Sequence, residues 1–358
     1  MKKLVKLFAL STMSVFHISC GQTKTDVPEA YIKSEFKDTV TSCGPTTSVR
    51  TIRQDRKGNM WLVSTEGIIR YDGKSFTNLI SKMGSHKFWD VLEDRRGNFW
   101  FASIDSGVYY YDGKSFRNYI TKEGLASNAV FEIYEDKAGI IWFGTYDGAS
   151  RYDGKSFRNF KMKEGPPPAH ADSVRVPVNR KELHHPELYE VYWMINETNN
   201  RVHTIIEDKT GKFWFGTGGD VCIYDRTTYT SLTNKYGRTF TNVHTIIEDK
   251  EGNIWFSGGG GLWRYDGTTF TNFTRNSVDY VYEDRKGNIW TSSQSDNGQD
   301  WALSRYDQKS LFDKKPTVTE IKSGGNGLFG ILEARDGSIW FGATDGVYRY
   351  DGTTVKRL

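Results

Sequence analysis

His203 and His244 occupy the same place in two successive copies of one stretch, Val-His-Thr-Ile-Ile-Glu-Asp-Lys. Imidazole is the side chain suited to proton transfer near neutral pH and to metal ligation, so a repeated histidine is the first candidate for chemistry. The other copies can be aligned on the Asp, or its equivalent, that opens the following turn. The residue five places before it then extends the pair to seven: Arg50, Trp89, Phe131, His203, His244, Asp279 and Phe329. Aromatic faces beside cationic and acidic groups suit a ligand with apolar faces and hydroxyls, such as a sugar. Acid–base catalysis needs two groups held within reach of one substrate, and this spacing offers candidates without assembling such a pair.

A second group lies in residues 161–200, within KEGPPPAHADSVRVPVNRKELHHPELYEVYWMINETNN. Three consecutive prolines stiffen its start, and His170, His184, His185, Tyr189, Tyr192 and Trp193 give it polar and aromatic groups. The reading is a flap over a binding site, with a folded decoration packed on the body as the alternative. Adjacent histidines turn to one metal with difficulty, and no Cys or nearby carboxylate completes a tetrahedron, so neither a metal nor a cofactor is expected.

The elements that position these groups are written in repeats. VRTIRQDRKGNMWLVSTEGIIRYDGKSF returns as FWDVLEDRRGNFWFASIDSGVYYYDGKSF and, further on, as VHTIIEDKEGNIWFSGGGGLWRYDGTTF. One tryptophan counts each copy: Trp61, Trp100, Trp142, Trp214, Trp255, Trp290 and Trp340. Each copy parses into four short strands. Asp-x-x-Gly-Asn makes the first turn, with Asp holding backbone amides and Gly supplying positive φ. Tyr-Asp-Gly makes a tight hairpin after the third strand. Four antiparallel strands in about 40 residues, seven times over, predict an all-β, seven-bladed propeller in which each blade is covered by its neighbours. The repeated Asp and Glu before each turn read as turn and strand-end caps.

The ED-x-x-GN-I-W-F-G-T and RYDG-x-x-F blocks closely resemble the two-component regulator propeller repeat, over residues 49–358. The resemblance implies an extracytoplasmic sensing scaffold of the kind found in bacterial hybrid two-component sensors, many linked to glycan use. No kinase or response regulator is written in this chain, so binding rather than signalling chemistry is expected. The GNLWF-like block is also similar to that of the streptogramin lyases, secreted seven-bladed propellers with a His and a metal on the loop-rich face. His203 and His244 are the residues that would imitate them; no flanking Glu or second His pattern does, and an enzyme is not expected.

Positions that vary between repeats are free to serve binding. Trp142 and Trp214 are 72 residues apart, and the excess, about Lys161 to Asn200, joins blade 3 to blade 4. A second insertion, about Gln294 to Trp301, lies between strands two and three of blade 6. A third, around Asp313 to Gly327, leads into blade 7. All three are expected on one face, opposite the short hairpins, with the seven-residue ring at that mouth of the channel.

The start, MKKLVKLFALSTMSVFHISCGQ, has a basic head and an apolar run from Leu7 to Phe16, too short to cross a bilayer. Ser19-Cys20-Gly21 resembles a bacterial lipoprotein cleavage box. The expected organisation is a signal over 1–19, a lipidated Cys20 opening a polar tether over 20–47, and the propeller over 48–358. The formal charge of +4 contains Lys2, Lys3 and Lys6; without them 45 basic face 44 acidic residues. The signs alternate, as in DRKGN and EDKEGN, which describes a solvated surface and gives no face for nucleic acid. Cys43 and Cys222 fall in distant repeats and are not expected to pair. The expected partners are a glycan or other small ligand, or a protein, with the membrane reached through Cys20.

Overall fold

Each repeat closes on itself through its own turn chemistry. In the first blade Asp55 Oδ1 accepts the Asn59 amide at 2.8 Å, and its Oδ2 accepts both Asn59 Nδ2 at 2.8 Å and Trp61 Nε1 at 2.9 Å. One carboxylate therefore shapes the hairpin and orients the buried tryptophan behind it. The Asp–Trp bond recurs in the next five blades, for example Trp100 to Asp94 and Trp255 to Asp249. In blade 7 Ala334 stands at that position, and Trp340 Nε1 donates instead to Ser338 Oγ at 3.1 Å. The second hairpin is equally regular. Asp72 Oδ1 takes the amides of Lys74 and Ser75, and Gly73 has φ +95° between them.

The computed structural model of the protein describes residues 25–26, 38–79, 87–162, 200–233, 240, 242–296, 298–325 and 327–358. In these residues seven antiparallel sheets follow one another, built from 49–78, 88–119, 130–160, 202–231, 243–274, 278–323 and 328–357. Each sheet takes its four repeat strands from one continuous stretch, so no strand is exchanged between the last blade and the first. Among the described residues the helices are two 3-10 turns, Thr121–Glu123 and Gln308–Ser310, and none is long and apolar enough to cross a membrane.

The core is divided among the blade interfaces. Trp61 lies with Phe88, Val91, Phe99 and Phe101 of the next blade, its ring centroid 4.1 Å from that of Phe99. Trp340 closes the circle by packing with Val49, Ile52 and Leu62 of blade 1. Each tryptophan thus serves a neighbour's sheet, which is why one blade cannot bury its faces alone. Truncating any of them costs about 3–5 kcal/mol.

The repeated acids do more than cap strands. Glu93 accepts the Arg56 amide from the preceding blade at 2.9 Å, while the Arg56 guanidinium reaches the carbonyls of Asp94 and Arg95. The charge pattern that reads as a plain solvated surface is thus a set of bonds between blades.

Two further corrections concern connections. Val318–Ser323 is the fourth strand of blade 6, paired with Trp301–Tyr306. The extra residues there, 307–317, lie in the hairpin between strands three and four and so emerge on the short-hairpin face. The sequence Lys-Pro-Thr-Val-Thr-Glu lacks the aromatic that marks the fourth strands of blades 1 to 5, and it reads as loop. The tether is also not free throughout. Thr39–Thr41 adds a fifth strand to blade 1 against Phe76–Asn78, and Thr25–Asp26 pairs with Phe157 and Ser156 of blade 3.

Candidate ligand site at the channel mouth

The first strand of each blade lines the channel, and the sequence-selected ring sits at the start of those strands. A β-bulge re-aims it. Pairing with the second strand slips between Val49 and Thr51, Phe88 and Asp90, Val130 and Glu132, Val202 and Thr204, Val243 and Thr245, and Val278 and Tyr280. In each case the skipped residue is the ring residue, released from the ladder by the bulge. In blade 7 the slip falls one place later, at Gly330, whose φ is +38°. An added Cβ there would stand 2.7 Å from the Arg50 carbonyl oxygen, which requires glycine.

The seven side chains touch in sequence around the axis. The Arg50 guanidinium lies 3.9 Å from the ring centre of Phe329 on one side and 4.5 Å from that of Trp89 on the other. Trp89 meets Phe131 edge to face at 5.8 Å, Phe131 meets His203 at 5.7 Å, and His203 meets His244 at 5.3 Å. His244 Nδ1 then bonds Asp279 Oδ1 at 2.5 Å, and its Nε2 faces Asn242 Oδ1 at 2.7 Å. Phe131 and Phe329 are buried and support the ring from behind; Arg50, Trp89, His203, His244 and Asp279 are partly open.

The electrostatics fix two members. His203 Nδ1 faces the Val243 carbonyl at 3.1 Å, which places its proton there and leaves the Nε2 lone pair without a hydrogen bond. Burial, then the neighbouring His244 and Arg201, push its pKa well below the ordinary histidine range. Burial works to raise the Asp279 carboxyl, but the His244 bond and the charges of His244 and Arg50 outweigh it and hold it low. Imidazole and carboxylate here form a fixed pair.

Sequence reasoning missed two contributors. Arg201 is buried, stacked 4.9 Å from the Phe131 ring, and its carbonyl takes the Gly218 amide. Asn200 accepts the Gly148 amide at 2.7 Å, so the chain leaving residues 161–200 arrives beside the ring. Arg201 is not part of the repeat, and no alignment of blades picks it out. His170, His184, His185, Tyr189, Tyr192 and Trp193 lie outside the described residues, as does Cys20. Cys43 is exposed; Cys222 is buried in blade 4, its thiol against Asp220 Oδ1. Among the described residues no three His, Cys, Asp or Glu side chains converge as metal ligands.

Three segments, 124–147, 196–219 and 237–260, match the family model described as two component regulator propeller. These are two-component regulator propeller repeats. The matches fall on the connection into, and the first hairpin of, blades 3, 4 and 5, and the same turn, tryptophan and Asp geometry runs through blades 1, 2 and 6. No curated protein matches the chain in sequence. Among solved structures, it is similar to the extracellular domain of the hybrid two component system BT3049 from B. thetaiotaomicron. That likeness has a TM-score of 0.64 and 22% identity, over 86% of this chain and 39% of the other. It is similar also to virginiamycin B lyase from Staphylococcus aureus, with a TM-score of 0.60 and 14% identity, over 87% and 99% of the two chains. PorZ, a surface component of the type-IX secretion system of Porphyromonas gingivalis, gives 0.59 and 14%, over 87% and 48%. At these identities the likenesses establish the propeller fold. The chain spans 39% of the length of the first of them.

Proposed function

We propose that this chain is an extracytoplasmic propeller, held to a membrane through a lipidated Cys20, that binds a ligand at the channel mouth beside residues 161–200, with a glycan fragment foremost. The observation that carries the reading is the unbroken ring from Phe329 through Arg50, Trp89, Phe131, His203 and His244 to Asp279. Stacking surface and fixed polar groups share one opening, and a sugar ring with one apolar face and several hydroxyls is complementary to both. The signal-like N-terminus and the likeness to an extracellular domain support the location. Arg201, the residue that follows 161–200 in the chain, stacks on Phe131.

A second reading, docking of a protein, is favoured by one feature of the opposite face. Phe312 is 69% exposed there and lies against Arg264, which is itself buried. A thermal-shift screen of residues 21–358 against glycan fragments separates the two. A ligand at 100 times its Kd stabilises by about 2.7 kcal/mol. A fragment that raises Tm in the parent and fails to do so in Trp89→Ala supports the mouth; if no fragment shifts Tm, the glycan reading is overturned.

A further inference from the structure

One step inside the mouth ring the channel carries a tier of a different character. Asp90 of blade 2 and Glu132 of blade 3 occupy equivalent positions on it, and Tyr280 of blade 6 stands across the axis. Asp90 is 1% exposed. Its Oδ2 accepts the Ile133 amide at 2.8 Å, whereas its Oδ1 accepts no hydrogen bond. The nearest cation, Arg53 Nη2, is 3.9 Å from that oxygen, and Arg53 also bonds Tyr280. Thr51 and Thr245 on the tier give their hydroxyl protons to the carbonyls of Trp89 and Asp279, and the Thr51 hydroxyl also lies beside the Asp90 carboxyl. The Arg53 side chain is 37% exposed, so solvent reaches this depth. One turn of the ring above, His203 Nε2 is another acceptor without a donor.

Two unmet groups of the channel are therefore acceptors, one buried Asp90 oxygen and one imidazole lone pair, and the Glu132 carboxyl lies within electrostatic reach of the first. We infer that the Asp90–Glu132 tier receives a primary ammonium group of the channel ligand, with His203 Nε2 taking a further donor from the same molecule. An ammonium presents three donors and one positive charge, which matches two carboxyl groups against a single shared guanidinium. Burial and the Asp90 charge lift the Glu132 pKa well above the usual range, with Arg53 opposing, and burial raises Asp90 as well. An ammonium beside Glu132 favours its charged form. Asp90, Arg53 and Tyr280 are the charged and titratable groups that face it. The inference rests on the mouth being the ligand site, and the two can fail separately.

The test is calorimetric titration of residues 21–358 with amines and their neutral counterparts: glucosamine against N-acetylglucosamine and glucose, and putrescine against butanediol, at matched ionic strength. At least one amine is expected to bind at least about tenfold more tightly than its neutral counterpart. Glu132→Gln and Asp90→Asn, which keep side-chain shape, should each remove about tenfold of that preference or more. Amines that bind no better than their counterparts overturn the inference, as does a preference that survives the double variant. If Trp89→Ala leaves amine binding intact while Glu132→Gln abolishes it, the mouth reading falls and the tier stands. If Trp89→Ala weakens the ligand and the tier variants do not, the tier falls and the mouth stands.

Discussion

Arg335 in blade 7 donates its backbone amide to Gln54 Oε1 in blade 1 at 2.8 Å, and its guanidinium reaches the Asp55 carbonyl at 3.0 Å. The last blade thereby grips the first through the same device that joins every other pair. Arg95 with Glu135, Lys209 with Glu248 and Arg285 with Glu333 repeat it. The ring is closed by seven such grips and seven apolar interfaces rather than by an exchanged strand. Arg335→Ala keeps the amide bond and loses the guanidinium bond, so it should lower stability by about 1 kcal/mol in urea unfolding. No change would show that closure rests on the apolar interface alone.

Asp94 serves four donors at once: the amides of Arg96 and Asn98, Asn98 Nδ2, and Trp100 Nε1. Asp94→Ala leaves the buried indole N–H without an acceptor and loosens the turn. It should cost about 2–3 kcal/mol, measured by the denaturation midpoint at unchanged slope. In blade 7 Ser338 performs the indole part alone, so Ser338→Ala should cost about 1–2 kcal/mol.

Glu132 gives a pH signature. Its folded pKa lies well above its unfolded one, so the folded state holds the proton more tightly. Such a group costs nothing below the unfolded value, about 4.3, and its penalty grows as pH rises from there towards the folded value. Glu132→Gln should therefore match the parent Tm at about pH 4 and exceed it increasingly towards about pH 8. Calorimetric scans across that range decide it; a constant difference at every pH would place the effect in packing instead.

Cys20 carries the anchoring proposal. Cys20→Ala should move the protein from the membrane fraction to the soluble fraction, since a durable tether needs acyl chains. Equal membrane retention of the variant and the parent, after a high-salt wash, would remove the lipoprotein reading.

Much of the fold is legible in the sequence because the blade is a local unit. Asp55, Gly58 and Trp61 lie within seven residues of each other, and their spacing alone predicts the hairpin they make. The ring is legible for the same reason: Arg50 and His203 share an offset from their turns. What joins blades is harder to read. The Arg56–Glu93 bond spans 37 residues and looks like any two surface charges until the sheets are placed side by side. The bulge at each ring residue leaves no composition signal, because Val-Arg-Thr and Val-His-Thr read as ordinary strand. The Asp90–Glu132 tier was missed because its meaning depends on the axis, where residues from blades 1, 2, 3 and 6 converge.

The most direct test of the account is a crystal structure of residues 21–358 with a ligand taken from the thermal-shift screen. The account predicts ligand density at the mouth, with its apolar face on Trp89 and polar groups reaching His203 and the His244–Asp279 pair. Density instead on the opposite face, in the groove beside Phe312 and Arg264, would contradict it and make the mouth ring a packing feature of the channel.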